Sequence, residues 1–553
     1  MGAQVNIADA ELLEAERLTP ALDAFGKTAQ FGSGWRWGLG VQGYNFDMDE
    51  TGPISSTERL YTADQVRLLD SIAIKEAGIA GSELMERAGR AAFEHALERF
   101  PGKQKWLVLC GGGNNGGDGY VIARLAREAG IECQLFALKS TELLEGDAAT
   151  AAQGWLESGG QVCLGPPTDA GGFDLVVDAL LGTGLDRPPQ GEYAEAIDTI
   201  EKSDAVVLAV DIPSGLNADT GCAMGGIAVS ADLTVTFVGR KRGLYTADGP
   251  DYSGQVRYES LGVPPAVFES IDNSGLLIQE NLIGQLLHPR CRNSHKGSFG
   301  WVLGVGGDRG MSGALRLCGA AALRTGAGKV TLATHQDHAT VLNLDFPELM
   351  VMATESVEDL DVLLNRANVV VLGTGLGQSE WSRRMLQVFG QFAGPMVVDA
   401  DALNLIAAGD MFDVLDDSRR PMILTPHPAE AARLLRIETR EVQCDRVVAA
   451  LKLADQSGAV VVLKGCGTVV ANPGGPYAIC PLGNPGMASA GTGDVLAGIV
   501  GAMLAQGLGA WEAATAGVVA HAVAGDRAAY DVGERGMIAS DIIRALPAVL
   551  NPV

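Results

Sequence analysis

Positive charge is scarce in this 553-residue chain: 41 Lys and Arg stand against 67 Asp and Glu, a formal net charge of −26. Nucleic acids and anionic membrane surfaces are held by clustered Lys and Arg, so neither is expected as a partner. No apolar run approaches the roughly 18 residues of a membrane helix. The first residues lack a basic stretch followed by an apolar one, so a secretory leader is not expected. Nine cysteines are scattered at 110, 133, 163, 222, 291, 318, 444, 466 and 480 with no C-x-x-C pair. That argues against a zinc or dithiol redox site and suits reduced thiols in a cytoplasm. A Walker A motif is also missing, because the "FGKT" at 25–28 has Ala21 where its first glycine should stand.

What is abundant is glycine, 73 residues, about twice the usual share. The glycines gather where apolar runs end, the pattern of loops that approach ligands closely. Residues 1–56 have no clear period and form an extension of unassigned role. From Tyr61 the chain becomes regular. Thr62-x-x-Gln65 reads as a capping box opening a helix. "SELMERAGRAAFEHALERF" is a second helix, "KWLVLC" a strand, and "GYVIARLAREAG" a helix with Val121, Ile122 and Leu125 on one face. Short apolar runs such as "CQLFAL", "DLVVDALLG", "AVVLAVDIPSG" and "LTVTFVG" alternate with helices, which indicates a parallel sheet covered on both faces. The rhythm stops around 261–275 and resumes at "GWVLGVGG", through "KVTLATH", "NVVVLGTG", "PMVVDA", "PMILTPH" and "AVVVLKG". The expected fold class is therefore α/β with two domains, at 57–270 and 276–553.

In the first half, Gly111, Gly113 and Gly116 satisfy G-x-G-x-x-G, the dinucleotide fingerprint. Its confirming acid is missing, since the next strand ends in Lys139 and Ser140. A glycine turn that only packs a helix on a strand leaves Asn114, Asn115 and Asp118 unexplained. Two further strand ends carry Asp178, followed by Gly182-Thr183-Gly184, and Asp211 with Ser214. Converging oxygen groups such as Asn115, Asp178, Asp211 and Ser214 suit a hard cation or a neutral hydroxylated ligand.

"GGGNNGGDGYVIARL", "VVDALLGTGL" and "VAVDIPSGLNADTG" resemble the N-terminal domain of bifunctional NAD(P)H-hydrate repair enzymes over roughly residues 60–260. That domain is a Rossmann-like NAD(P)HX epimerase. The resemblance implies that Asn114, Asn115, Gly116, Gly117 and Asp118 hold the hydrated dinucleotide. It implies further contacts from Gly182, Thr183, Gly184, Leu185, Asp186, Arg187, Pro188 and Asp211. A potassium ion is implied on Asn115, Asp178 and Ser214. Interconverting R and S forms requires the C6 hydroxyl to leave and return through a cationic ring, which a carboxylate can assist. Asp211 is the candidate for that role and Asp118 the runner-up.

In the second half, Gly491-Thr492-Gly493-Asp494 precedes a helix of small residues. Free N–H groups there form an anion hole, and Asp494 can take a proton from an attacking hydroxyl. Taken alone, Asp494 could also be a helix cap. With "SHKGSFG", "GDRGMSGA", "LGTGLG", "VVDADALN", "LTPHPAEAARLL" and "VLKGCGTVV", the half resembles the ribokinase-like, ADP-dependent NAD(P)H-hydrate dehydratase domain of the same enzymes over roughly 276–552. The resemblance implies ADP binding by Lys464, Gly465, Cys466, Gly467, Thr468 and Gly493. It implies hydrated-dinucleotide contacts from Ala314, Gly375, His427 and Asp494, and Glu430 placing Mg²⁺ through water. The family's two leading glycines read Ala490-Gly491 here, a small cost unless position 490 needs a positive φ. The expected enzyme is a cytoplasmic homo-oligomer that phosphorylates the C6 hydroxyl from ADP and expels phosphate. The alternatives are a ribokinase-like kinase of another small molecule fused to an accessory ligand-binding domain, and a first half turned binding module.

Overall fold

Strand Lys105–Cys110 is buried from Trp106 to Cys110, so it needs cover on both faces, which helical crossovers supply. The computed structural model describes residues 59–551 apart from 272–274, 357, 389–391 and 410–419. The extension 1–56 lies outside the described residues. Among those described, two sheets form, of seven and twelve strands. The seven-stranded sheet is wholly parallel, in the order Val162–Leu164, Glu132–Ala137, Lys105–Cys110, Leu175–Ala179, Val206–Val210, Leu233–Phe237, Gln255–Glu259. Numbered along the chain, its first six strands run 3-2-1-4-5-6, the Rossmann order. The direction reverses beside Lys105–Cys110, and such a switch point opens a crevice at the strands' carboxyl ends.

The capping box expected at Thr62 is present: Thr62 Oγ1 accepts from Gln65 N at 3.2 Å and Thr62 N donates to Gln65 Oε1 at 2.9 Å, opening helix Ala63–Lys75. The glycine loop is shorter than its sequence suggests. Helix Asn114–Glu128 begins directly after Gly113, so Asn114-Asn115-Gly116-Gly117 form its first turn and Asp118 its second. The turn is tight because Gly111 crosses the neighbouring strand end: a Cβ there would lie 1.8 Å from the Leu180 carbonyl.

The second sheet repeats the switch. Its parallel strands lie in the order Met350–Ala353, Lys329–Thr334, Trp301–Val305, Val369–Leu372, Met396–Val398, Met422–Leu424, Val460–Leu463. Thr468–Ala471 and Tyr477–Cys480 then add antiparallel. Helix Thr492–Ala505 closes on helix Ser312–Thr325 at Gly498, where a Cβ would stand 2.1 Å from the Cys318 carbonyl. Small residues let the two backbones approach that closely.

The far edge of this sheet is built from strands Gly275–Leu277, Arg59–Tyr61 and Arg240–Lys241. Two of these three come from the first half of the chain. Behind them Ile212, Leu216, Leu244 and Tyr245 share one apolar core with Leu463, Val469 and Tyr477. The halves thus meet through paired backbone and buried side chains. Strands of two or three residues carry no periodicity, and these were not expected from the sequence.

Candidate functional site

At the carboxyl ends of the first sheet opens a cavity of about 980 Å³. Its wall includes Asn114, Asn115, Asp118, the run from Gly182 through Thr183, Gly184, Leu185, Asp186 and Arg187 to Pro188, and Asp211. Gly116 and Gly117 are not among the lining residues: both are buried, Gly116 beneath Gly111 and Gly117 beneath Met85. The N-terminus of helix Asn114–Glu128 faces the cavity through Gly113, Asn114 and Asn115, which makes it attractive to anions. Lys139, standing where a dinucleotide fold would carry its ribose-binding acid, packs its methylenes toward Gly112.

Asp211 has φ 68°, a left-handed conformation unusual for a residue with a side chain. It is held by the ammonium of Lys241, which touches Asp211 Oδ1, and by Phe237 N at 3.2 Å. Lys241 is 1% exposed and also donates to Phe237 O at 2.9 Å and Thr236 Oγ1 at 3.1 Å. Two more carboxyls share this wall. Burial, then Asp211 and Asp70, push the Asp118 carboxyl well above the ordinary range. Burial also pushes Asp70, on helix Ala63–Lys75, up to about 6, against the pull of Lys241. Asp118 and Asp70 thus hold a proton more readily than exposed carboxyls do, on the same wall as the Asp211–Lys241 pair.

Behind the wall, Asp178 and Ser214 are fully buried. Ser214 donates its hydroxyl to Asp178 Oδ1 at 2.6 Å and its backbone N–H to Oδ2 at 2.8 Å. Burial raises Asp178 to about 6 in spite of these bonds. The Leu181 carbonyl accepts from Asn115 Nδ2 at 3.1 Å and from Ser214 Oγ at 3.3 Å, so the three residues meet around one backbone position. Asn115 Oδ1 is buried with no hydrogen-bond partner. An orphaned carbonyl oxygen beside a buried carboxylate and a hydroxyl fits a hard monovalent cation. Among the described residues no cluster of three His, Cys, Asp or Glu side chains is placed to hold a metal.

In the second half Asp494 lies in the first turn of helix Thr492–Ala505. Burial, then Asp399, push its carboxyl up to about 7, with Lys464 pulling the other way. Lys464 Nζ donates to Asp399 Oδ1 at 2.8 Å, and a Cβ on Gly493 would stand 3.2 Å from that same ammonium. Lys464, Gly493 and Asp494 are therefore brought together, with Gly465, Cys466 and Gly467 as the turn that follows Lys464 and Thr468 opening the next strand. The positive φ of the motif falls on Gly491 (94°) and not on Ala490, so the alanine is tolerated. Gly375, at φ 58°, lies against Ala314: a Cβ there would be 3.0 Å from the Ala314 Cβ. His427 caps helix Pro428–Leu435, and Glu430 completes the box by accepting from His427 N at 2.8 Å. Burial works to raise Glu430, but the His427 bonds and the Lys464 charge outweigh it and hold the carboxyl below its usual value. Glu430 thus stands ionised near Lys464, as a residue that orients a water would.

Residues 302–548 match the sequence family described as NAD(P)H-hydrate dehydratase, and residues 81–243 the one described as YjeF-related protein N-terminus. The bifunctional NAD(P)H-hydrate repair enzyme Nnr of Coxiella burnetii is 43% identical over 493 residues, covering 89% of this chain and 99% of that protein. Its Escherichia coli counterpart is 44% identical over 503 residues, covering 90% and 95%. The chain belongs to the bifunctional NAD(P)H-hydrate repair enzyme family. Among solved structures, the ADP/ATP-dependent NAD(P)H-hydrate dehydratase of Bacillus subtilis, co-crystallised with ATP/Mg²⁺, is 27% identical and covers 49% of this chain and 96% of its own, with a TM-score of 0.44. A ribokinase-like superfamily protein of Enterococcus faecalis is 28% identical over 50% of this chain and 94% of its own, with a TM-score of 0.46.

Several residues that the structure places beside these candidate site residues escaped the sequence reading. Lys241 ends strand Arg240–Lys241 of the second sheet yet reaches into the first site. Asp70 sits on an amphipathic helix and reads as a solvated position. Asp399 lies inside "VVDADALN", which marks a strand end without saying which acid pairs with Lys464. His521, far along helix Ala510–Val532, hydrogen-bonds the backbone of Thr492, and burial lowers its pKa to about 4. No helix of the described residues is long and apolar enough to cross a membrane, and all nine cysteines are free thiols.

Proposed function

We propose that this chain repairs hydrated NAD(P)H: the first half interconverts R- and S-NAD(P)HX, and the second dehydrates S-NAD(P)HX to NAD(P)H with ADP, giving AMP and phosphate. What carries the proposal is the match to bifunctional repair enzymes at 43% identity over 89% of the chain, which spans both halves.

In the first half the hydrated ring lies in the cavity walled by Asp118 and Asp211. The hydroxyl leaves C6 with the ring-nitrogen lone pair pushing, and water returns to the opposite face. A protonated carboxyl gives the proton to the departing hydroxyl, and an ionised one accepts the proton of the returning water. Asp211, tethered by Lys241 and set in a strained backbone, and the buried Asp118, whose carboxyl burial pushes up, are the two groups that share these roles. The dinucleotide phosphates take the N–H groups at the start of helix Asn114–Glu128, at Asn114 and Asn115, with the run Gly182–Pro188 lining the other side. Asn115, Asp178 and Ser214 would hold potassium, which would supply positive charge to the anionic ligand.

In the second half the C6 hydroxyl attacks the β-phosphorus of ADP. Its O–H proton passes to Asp494 as the O–P bond forms, and AMP leaves. The anion hole of Gly491–Asp494 and the Lys464 ammonium meet the charge that gathers on the phosphoryl oxygens. Lys464, Gly465, Cys466, Gly467, Thr468 and Gly493 seat the nucleotide, while Ala314, Gly375 and His427 line the ring's side. Glu430 would help hold Mg²⁺ through water, and the ion would supply positive charge to the nucleotide phosphates. Phosphate then departs with its electron pair, and loss of the C5 proton restores the dihydropyridine.

Product analysis tests the reading. Incubation with S-NADHX and ADP is expected to yield NADH, AMP and phosphate in equal amounts. A stable phosphorylated dinucleotide without NADH would instead mark an ordinary small-molecule kinase.

A further inference from the structure

A contact between the halves serves neither reaction as described. From Lys241, which tethers Asp211, the chain passes through the turn Arg242–Tyr245 and arrives at Thr246, 1% exposed, against the second half. The Thr246 hydroxyl donates to the Gly467 carbonyl at 3.0 Å and accepts from Arg446 Nε at 3.2 Å. Arg446 is itself 2% exposed, and its Nη2 donates to the carbonyls of Leu463 at 3.3 Å and Lys464 at 3.2 Å. Its Nη1 donates to Gln443 Oε1 at 2.7 Å. These partners are neutral oxygens, and burial lowers the guanidinium to about 10. A cation buried among carbonyls is costly unless its donors are used, and here Nη2 is spent on the backbone leading into the turn 464–468 and Nε on Thr246.

The turn has no slack against the first half. Gly467 has φ 59°, and a Cβ there would lie 2.0 Å from the Tyr245 carbonyl and 2.5 Å from Thr246 Cα. Gly465 has φ 136°, and its Cβ would meet Arg446 Nη2 at 2.9 Å. The turn assigned to the nucleotide is therefore moulded on backbone contributed by the other half.

We propose that Thr246, acting through Arg446 and Gly467, is a positioning residue of the dehydratase's nucleotide turn, so that the epimerase half completes the ADP site of its neighbour. The inference rests on the reading of Lys464–Thr468 as the ADP turn.

The test compares Thr246→Val, Thr246→Ser and Lys464→Gln in the full chain, with dehydration kinetics against ADP and with epimerisation as the measure of intact folding. Thr246→Val keeps the shape but strands a buried donor and a buried acceptor. The KM for ADP is expected to rise about tenfold, with kcat for dehydration changed less than about twofold. Thr246→Ser, which keeps the hydroxyl, should restore the parent KM. An unchanged KM for ADP in Thr246→Val, while Lys464→Gln raises it, overturns the proposal and leaves the ADP turn standing. An unchanged KM in Lys464→Gln overturns the assignment of the turn itself. Equal loss of both activities in Thr246→Val, without rescue by serine, would show a structural prop and also overturn the proposal.

Discussion

Asp494 is where the chemistry of the second half is most exposed to test at the level of a single residue. Burial and Asp399 raise its carboxyl to about 7, so below that pH it is protonated and cannot accept the hydroxyl proton. kcat/KM for dehydration is therefore expected to climb with pH through about 7 and level off above it; a profile flat across that range contradicts the assignment. Asp494→Asn removes the acceptor while keeping the shape and should slow dehydration about 10²–10⁴-fold. ADP affinity should hold, since Lys464 and the turn after it are untouched, and joint loss of ADP binding would return Asp494 to the role of a helix cap. In the first half, Asp178→Asn withdraws the buried charge beside the orphaned Asn115 oxygen. Epimerisation should lose its response to added potassium, with dehydration of S-NADHX unaffected; a potassium response equal to the parent's rules out the cation site. Asp178 was legible because it stands at the end of an apolar run, where open α/β sheets put ligands, and Asp494 because Gly491-Thr492-Gly493 precede it at a helix start. Lys241 and Asp70 were not, because the contact that gives each its meaning is made across the fold: Lys241 lies 30 residues from the Asp211 it tethers.

Among the elements, the two glycine turns differ in how much they tolerate. Gly111 has no room for a side chain against the Leu180 backbone. Gly111→Ala must displace a strand end, and should cost about 2 kcal/mol or more of stability together with epimerisation, as read by thermal unfolding and turnover. Parent-like unfolding would show that the turn has slack it does not display. Ala490→Gly, at a position without a positive φ, should leave the dehydration rate within about twofold of the parent. Long strands and helices were readable from their burial pattern, and the Thr62 cap from its hydroxyl and Gln65. Asn114–Gly117 were expected as loop and are helix, because glycine and asparagine are poor helix formers that the adjoining sheet nonetheless holds in a helical turn. Strand Arg240–Lys241 was missed for the opposite reason: its two residues carry no pattern of their own, and only pairing with Arg59–Tyr61 makes them a strand.

For the molecule as a whole, the first half's Ile212, Leu216, Leu244 and Tyr245 are part of the second half's core, yet the two sites are cut from different sheets. Loss of the Asp494 base should accordingly leave epimerisation at the parent rate. The strongly acidic balance, −26 overall, leaves capture of anionic ligands to local features such as helix N-termini and Lys464. The central claim is that one chain carries both repair steps in sequence. It is tested most directly by supplying an equilibrated mixture of R- and S-NADHX with ADP, Mg²⁺ and potassium, and following the reduced-nicotinamide absorbance to its end point. The account predicts complete conversion to NADH, because the R form is fed through the first site to the second; conversion that stops when the S form is spent, or no gain in absorbance at all, would contradict it.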